Sequence, residues 1–138
     1  MGVKSMEKYG NSQLDLTELG VALAKIFEEQ QRPLLVFDSF TTLINRHGAD
    51  SGQAFLHSLV AKTKAYKANS IIILNHRAFP ESVFASVSDI AEGVIELKAA
   101  EKQGAIHYVM RVSKMTGVEH ETTWIQYMPH HERGIEQA

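Results

Sequence analysis

Two short apolar runs that flank an amphipathic segment constrain the fold of this chain more than any other feature. Leu34–Phe37 and residues 70–75 are rich in branched and aromatic side chains, and such continuous runs are typical of strands buried on both faces of a parallel sheet. After a predicted loop at residues 48–52, apolar side chains recur at helical spacing from about Ser51 to Tyr66. Because parallel strands require a crossover connection, this order predicts βαβ units.

The neighbouring segments extend this pattern. Asp15 and Glu18 have the spacing of a capping box and open a helix predicted over residues 14–30. A short helix is predicted at residues 80–91, and a third strand follows at residues 94–97. Helices and strands are therefore expected to alternate through most of the chain.

A hairpin is predicted after the third strand. Gln103-Gly104 separates that strand from an apolar run at residues 106–112, so the run is expected to pair with it in the antiparallel sense. Residues 122–128 alternate in the same way. Residues 129–138 are polar and are expected to form only a tail.

The composition is that of an average globular protein and excludes several classes of partner. The chain has 138 residues, 44% of them hydrophobic and 22% charged, and this size predicts one core. The net charge is −2 without a basic stripe, so nucleic acid is not favoured as a partner. No cysteine occurs, and no stretch approaches the roughly 20 apolar residues of a membrane span, so the protein is interpreted as soluble and cytoplasmic, with no membrane partner.

Several motifs in the right order resemble one family. The strand Leu34–Phe37 ending in Asp38-Ser39 resembles the Walker B strand of RecA-type ATPases. Residues 89–97 resemble the D-G-V-I-x-L strand of the KaiC-like branch, and residues 111–120 are similar to its K-M/L-R-G-x-x-H segment. Gly134-Ile135 resembles the C-terminal Gly-Ile of this branch. The chain is therefore identified as a divergent, archaeal-type member of the KaiC-like group over residues 14–135.

The resemblance implies a nucleotide site with one group of residues at strand ends. Asp38 would bind Mg²⁺ beside the phosphates with Ser39 next to it, and Asn75 occupies the position of a polar sensor of the γ-phosphate. Such a placement is physically reasonable, because ligands of open α/β sheets collect at the carboxyl ends of strands and Mg²⁺ prefers hard oxygen ligands. Two alternatives stay open, namely that Asp38 only caps the next turn and that Asn75 belongs to a plain turn.

A second group comes from the later motif. In the family its lysine reaches across a subunit boundary to the phosphates of a neighbour, and this lysine, the glycine and the histidine match Lys114, Gly117 and His120. Thr116 stands where the family has arginine, and a hydroxyl cannot replace a permanently charged guanidinium, so this position is not expected to stabilise a phosphoryl-transfer transition state. Alternatively, Lys114 is a solvated residue in a turn.

The phosphate-binding loop of the family is missing from this sequence. No Gly-x-x-x-x-Gly-Lys-Ser/Thr motif occurs, and residues 48–53 lack its lysine and carry Asp50, which would repel phosphate. The family's first strand and catalytic glutamate would lie before residue 14. No catalytic residue is therefore assigned, and ATP with Mg²⁺ is expected not to be held by this chain alone.

The expected fold is the second half of a three-layer α/β RecA-like core, whose mixed sheet has parallel strands followed by C-terminal antiparallel strands. Its expected divisions are a polar segment at residues 1–13, the truncated domain at residues 14–128 and the tail. In a RecA core the phosphate-loop strand lies between the strands equivalent to residues 70–75 and 94–97. Its absence predicts either direct pairing of these two strands or a partner that fills the gap.

Two functions follow from these expectations. The first is a non-catalytic regulatory or assembly module, as in signal transduction, that contributes to a nucleotide site at a subunit interface, either in a homo-oligomer or beside a phosphate-loop-bearing ATPase subunit. The alternative is a fragment or shortened relative of a complete KaiC-like ATP-hydrolysing enzyme. An unrelated small α/β enzyme is weaker, because no cysteine and no Gly-x-Ser-x-Gly elbow supplies a nucleophile.

Overall fold

The computed structural model describes residues 15–137, and the chain divides into two compact units between Val87 and Ser88. Residues 1–14 and 138 lie outside the described part, and so does the predicted segment at residues 1–13. The first unit contains, in chain order, α1 (Leu16–Glu28), β1 (Leu34–Phe37), α2 (Phe40–His47), α3 (Ala49–Ala65), β2 (Asn69–Ile72) and a 3-10 turn (His76–Ala78). Helix α4 (Glu81–Ile90) spans the division.

The first unit holds the apolar core. Its core is formed by these buried apolar side chains: Leu23, Phe27, Phe40, Leu43, Ile44, Phe55, Leu56, Leu59 and Val87. Phe40 is completely buried, and its ring lies 5.8 Å from that of Phe37 and 6.5 Å from that of Phe55. This aromatic cluster joins β1, α2 and α3.

The parallel sheet of this unit consists of β1 and β2, with Leu34 opposite Asn69 and Phe37 opposite Ile72. The first strand has the bounds that its sequence predicted. The prediction that the strands are buried on both faces is wrong, because four apolar side chains on one face are 45–61% exposed: Leu34, Val36, Ile71 and Ile73. An apolar run predicts burial, but which faces become covered depends on the elements that pack against the sheet.

Helix α2 was absent from the sequence prediction, and the loop predicted at residues 48–52 is wrong. Only Gly48 interrupts the helical structure, because α3 begins at Ala49. With a φ of +87°, Gly48 ends α2 and starts α3 in a conformation that favours glycine. Phe40, Leu43 and Ile44 have helical spacing and are buried, so the signal was present but short.

The second unit contains an antiparallel sheet with the strand order β3-β4-β5-β6. Its strands are β3 (Gly93–Lys102), β4 (Ala105–Met115), β5 (Ile125–His130) and β6 (Gly134–Gln137). The predicted hairpin is confirmed: Gln103 and Gly104 both have positive φ, 54° and 76°, as tight two-residue turns require. The antiparallel pairing runs the full length of β3, with a register shift between Val94 and Ile95.

The C-terminal tail expected from polarity is not what the structure has. Pro129 and His130 belong to β5 and pair with Ile135 and Gly134 of β6. Gly134 has a φ of +76°, which helps the chain to turn back. Backbone hydrogen bonding at the edge of a sheet does not need apolar side chains, so polarity alone was a poor guide.

The strands expected to flank the missing strand each have a partner strand inside their own unit. Within residues 15–137, β2 pairs with β1 and β3 pairs with β4, in separate sheets. Direct pairing, the first of the two alternatives considered from the sequence, stays a prediction. Both β2 and β3 keep one edge without a partner strand in the described structure.

Two helical glycines allow a matched test of this packing. A Cβ on Gly52 would lie 2.8 Å from Cγ1 of Ile44, whereas a Cβ on Gly20 would meet only Nζ of Lys62, at 3.8 Å. We expect Gly52→Ala to lower the free energy of unfolding by about 1–3 kcal/mol through overpacking. Gly20→Ala should raise it by about 0.5–1 kcal/mol, because alanine is the better helix former. Urea unfolding measures both changes, and changes of the same sign would contradict the packing of α2 against α3.

Candidate functional site

The residues predicted at the strand ends do lie at one edge of the parallel sheet. Asp38 and Ser39 follow β1 directly, and Asn75 follows the end of β2, its parallel neighbour. The Asp38 side chain is exposed, and the peptide bond between Asp38 and Ser39 is cis. We call Asp38, Ser39 and Asn75 the carboxyl-edge group.

Hydrogen bonds between the two strand ends hold this group together. The backbone N–H of Phe40 donates to the carbonyl of Ile73 at 2.8 Å, and the backbone N–H of Asn75 donates to Oγ1 of Thr41 at 2.8 Å. Thr41 therefore links the segment after β1 to the segment after β2. Sequence reasoning missed Thr41, although a cluster of hydroxyl residues at positions 39, 41 and 42 was a usable signal.

The two alternatives for this group have different outcomes. Ser39, not Asp38, occupies the N-cap position of α2, and no side-chain cap bond is present there, so the capping interpretation of Asp38 is wrong. Oδ1 of Asn75 accepts from the backbone N–H of Arg77 at 3.1 Å and starts the 3-10 turn. A turn role for Asn75 is thus observed, and its role as a sensor stays a prediction.

The edge offers hard oxygen ligands but few charges. The Asp38 carboxylate is followed by the hydroxyls of Ser39 and Thr42, whose oxygens are 3.4 Å apart. Within the described range, nowhere do three or more His, Cys, Asp or Glu side chains come close enough together to hold a metal ion. Mg²⁺ is commonly bound through one or two carboxylates, with water and substrate phosphates as its other ligands, so the Asp38 edge fits such an ion only together with a nucleotide.

The second predicted group lies in the antiparallel unit. Lys114 belongs to β4, and Thr116, Gly117 and His120 follow in the connection to β5. Nζ of Lys114 donates to the backbone carbonyls of Ser88 and Asp89, at 2.8 and 3.0 Å. These carbonyls lie in the last turn of α4, where a cation also interacts favourably with the helix dipole. The alternative of a solvated lysine in a turn is therefore wrong.

The connection after β4 is shaped by its backbone. Thr116 donates its N–H to the carbonyl of Glu92 at 2.8 Å, and Gly117 has a φ of +74°. Nδ1 of His120 lies 3.0 Å from the carbonyl oxygen of Val118. Because a carbonyl oxygen only accepts, this contact requires the proton on Nδ1, and in the neutral ring Nε2 then carries the lone pair. We call Lys114, Thr116, Gly117 and His120 the turn group.

The structure thus brings the seven predicted residues into two groups, each inside its own unit. The carboxyl-edge group has a carboxylate, a hydroxyl and an amide at one sheet edge, the arrangement expected of an α/β nucleotide site. In the turn group, one half-buried ammonium group is bonded to a helix end. The nucleotide roles of all seven residues stay predictions.

Comparison with known proteins gives the class of the chain. A family model described as the KaiC ATPase matches residues 2–136. A solved structure of a KaiC-like protein from the hyperthermophilic archaeon Pyrococcus horikoshii superimposes with a TM-score of 0.74 at 17% identity, covering 96% of this chain and 63% of that one. The search of curated proteins gave no significant match.

These findings define an α/β domain with a RecA-like fold, as the sequence predicted. The chain belongs to the KaiC ATPase family. Domains of this family typically bind ATP with Mg²⁺ and generally oligomerise. The chain spans 63% of the solved relative's length. Among residues 15–137, no helix is both long and apolar enough to cross a bilayer.

The contact of Lys114 with α4 can be tested by a change of one side chain. Lys114→Met keeps the aliphatic stem but removes both hydrogen bonds to the helix end. We expect the free energy of unfolding to fall by about 1–2 kcal/mol. Lys67→Met, at an exposed position, should change it by less than about 0.5 kcal/mol. Equal effects of the two variants in urea unfolding would show that the contact of Lys114 with α4 contributes nothing to the free energy of unfolding.

Proposed function

We propose that this chain is a non-catalytic assembly or regulatory module of the KaiC family. In this role it completes a nucleotide site together with a second chain that carries a phosphate-binding loop. One observation carries the proposal: the carboxyl-edge group is preorganised by the bond from Asn75 to Thr41, yet no phosphate-loop motif occurs in these 138 residues.

The carboxyl-edge group supplies only part of what Mg·ATP needs. Asp38 offers one carboxylate to Mg²⁺, and Ser39 and Thr42 offer hydroxyls beside it. The triphosphate itself needs converging backbone N–H groups and a lysine, which a phosphate-binding loop provides. A loop from a second chain would bring both to this edge.

The turn group supports a non-catalytic role. To reach the phosphates of a neighbour, Lys114 would have to give up its bonds to Ser88 and Asp89. Thr116 cannot supply the guanidinium charge that stabilises phosphoryl transfer. We therefore assign the chain a part in nucleotide-dependent assembly and not in hydrolysis, in the cytoplasm, where ATP is available.

A second candidate function is that the chain is part of a complete KaiC-like ATPase. This alternative is favoured by the 63% share of the solved relative that the chain spans. In that case a phosphate-binding loop encoded before these residues would occupy the same sheet edge. Fusing such a segment to the N-terminus would then produce ATP hydrolysis without any second chain.

The proposal is tested by titrating a fluorescent ATP analogue with Mg²⁺ into the chain alone and into an equimolar mixture with a phosphate-loop-bearing KaiC-family subunit. We expect no turnover by the chain alone, and a gain of at least about tenfold in affinity in the mixture over either chain by itself. Asp38→Asn should remove most of that gain because a Mg²⁺ ligand loses its charge. Lys114→Ala in the mixture measures the contribution of the turn group.

Asp50→Asn is the matched control, because it removes the same charge at an exposed position in the same unit. Its effect should stay below about twofold, in line with surface substitutions away from a site. Hydrolysis by the chain alone would rule out the non-catalytic role. Equal losses for the two Asp→Asn variants would rule out the carboxyl-edge group as part of the site.

A further inference from the structure

The outer edge of β3 is the longest strand edge without a partner among residues 15–137. β3 has 10 residues and lies first in the order β3-β4-β5-β6, so β4 is its one neighbour in the described sheet. A long edge presents a row of backbone donors and acceptors and readily pairs with another strand. Natural edges are blunted by proline, by a very short strand, by charged side chains or by a β-bulge. β3 has no proline and is long, but it carries Lys98 and Lys102, and its pairing with β4 shifts register between Val94 and Ile95.

Over residues 95–99, the side chains of β3 separate into an apolar face and a charged face. Ile95 and Leu97 point to one face and are 59% and 58% exposed, although apolar side chains of this size are normally covered. Glu96 and Lys98 point to the other face, since neighbouring residues of a strand alternate. Charges of opposite sign thus stand on either side of Leu97.

This pattern is complementary to itself in one antiparallel register. With a two-fold axis at Leu97, that residue faces its own copy, Glu96 faces Lys98 of the second chain, and Ile95 faces Ala99. Each chain contributes both charges, so the contact forms two opposite-charge pairs on one face and apolar pairs on the other. Directly opposed pairs of these kinds are the units that stabilise antiparallel sheets.

Antiparallel pairing of β3 with its own copy is less favourable in the neighbouring registers. An axis at Glu96 or at Lys98 would set two like charges directly opposite each other, which is destabilising. An axis at Ala99 would set Leu97 against Glu101. A shift by an odd number of residues would place the charged face of one strand against the apolar face of the other.

Interactions within the sheet hold the charged face in place. Nε and Nη2 of Arg111 both donate to Oε1 of Glu96, at 3.1 and 2.9 Å. Burial raises the pKa of Glu96, but hydrogen bonds from Ser113 and Arg111 and the charges of Arg111 and Lys98 outweigh it, so the net pKa is lowered and the carboxylate is ionised at neutral pH. Nζ of Lys98 lies 4.3 Å from the centre of the Trp124 ring, which orients this side chain too.

We propose that β3 is a self-association surface, along which a second copy of this chain pairs in the antiparallel sense with the two-fold axis at Leu97. The occupant is a second copy because both the charged and the apolar residues match when the strand meets its own sequence in this register, whereas the neighbouring registers oppose like charges or mix the two faces. The interface goes beyond the proposed nucleotide function and does not depend on it, since no residue of either predicted group takes part.

Cysteine cross-linking tests the register, because the chain has no cysteine of its own. Directly opposed residues of antiparallel strands have Cα atoms about 4.5–5.5 Å apart, within the range of about 4.4–6.8 Å that a disulfide spans. Leu97→Cys should give an intermolecular disulfide dimer under mild oxidation. Val118→Cys, at a position 61% exposed in the connection after β4, is the control and should stay monomeric on a non-reducing gel. Equal cross-linking of the two would overturn the register.

Sedimentation of the wild-type chain without nucleotide tests the association itself. We expect a concentration-dependent monomer–dimer equilibrium. Lys98→Glu, which sets Glu96 against a glutamate in both halves of the dimer, should raise the dissociation constant by at least about tenfold. Lys67→Glu makes the same charge change at an exposed position of the first unit and should leave it within about twofold. A wild-type chain that is monomeric at every concentration, or that associates only when a phosphate-loop-bearing chain is added, would overturn the proposal.

Discussion

Burial of one aromatic ring fixes the part of the molecule on which the proposed nucleotide chemistry depends. Phe40 has no exposed surface, and it is the second residue after Asp38. Its ring packs against those of Phe37 and Phe55, which also contact each other, while its backbone N–H donates to the carbonyl of Ile73. The position of Asp38 therefore follows from two interactions of Phe40, namely the hydrophobic packing of its ring and the hydrogen bond from its backbone N–H. A chain that lost this contact would lose the alignment of both strand ends.

The sequence predicted those parts of the fold in which a local pattern is enough. Strand β1 was found with its exact bounds because an apolar run followed by Asp38 is a local signal. The turn at Gln103-Gly104 was found because two positive φ values need such residues. Helix α2 was missed because its apolar pattern is only two turns long. The pairing of β5 with β6 was missed because it rests on backbone hydrogen bonds that side-chain polarity does not report.

The sequence predicted where the candidate site lies in the fold, but not the hydrogen bonds that hold its residues. That Asp38 and Asn75 share an edge follows from the parallel pairing of neighbouring strands, which the apolar runs already implied. The link through Thr41 depends on a hydrogen bond between residues 34 positions apart, and no sequence pattern specifies it. The cap of α4 by Lys114 is also a long-range contact. The sequence motif predicts that Lys114 reaches the phosphates of a neighbouring subunit. In the fold, the same ammonium group is bonded to the end of α4, and this bond competes with the predicted role.

The free edge of β3 connects the two proposals through geometry. In a RecA-like core the strand that carries the phosphate-binding loop lies beside the strand equivalent to β3, as the family resemblance implies. One edge of a strand can hold only one neighbour, because its backbone donors and acceptors are used once. A second copy of the chain and a phosphate-loop strand would therefore exclude each other at β3. If β3 pairs with a second copy of the chain as proposed, a phosphate-loop strand can pair with the same edge only after that dimer dissociates.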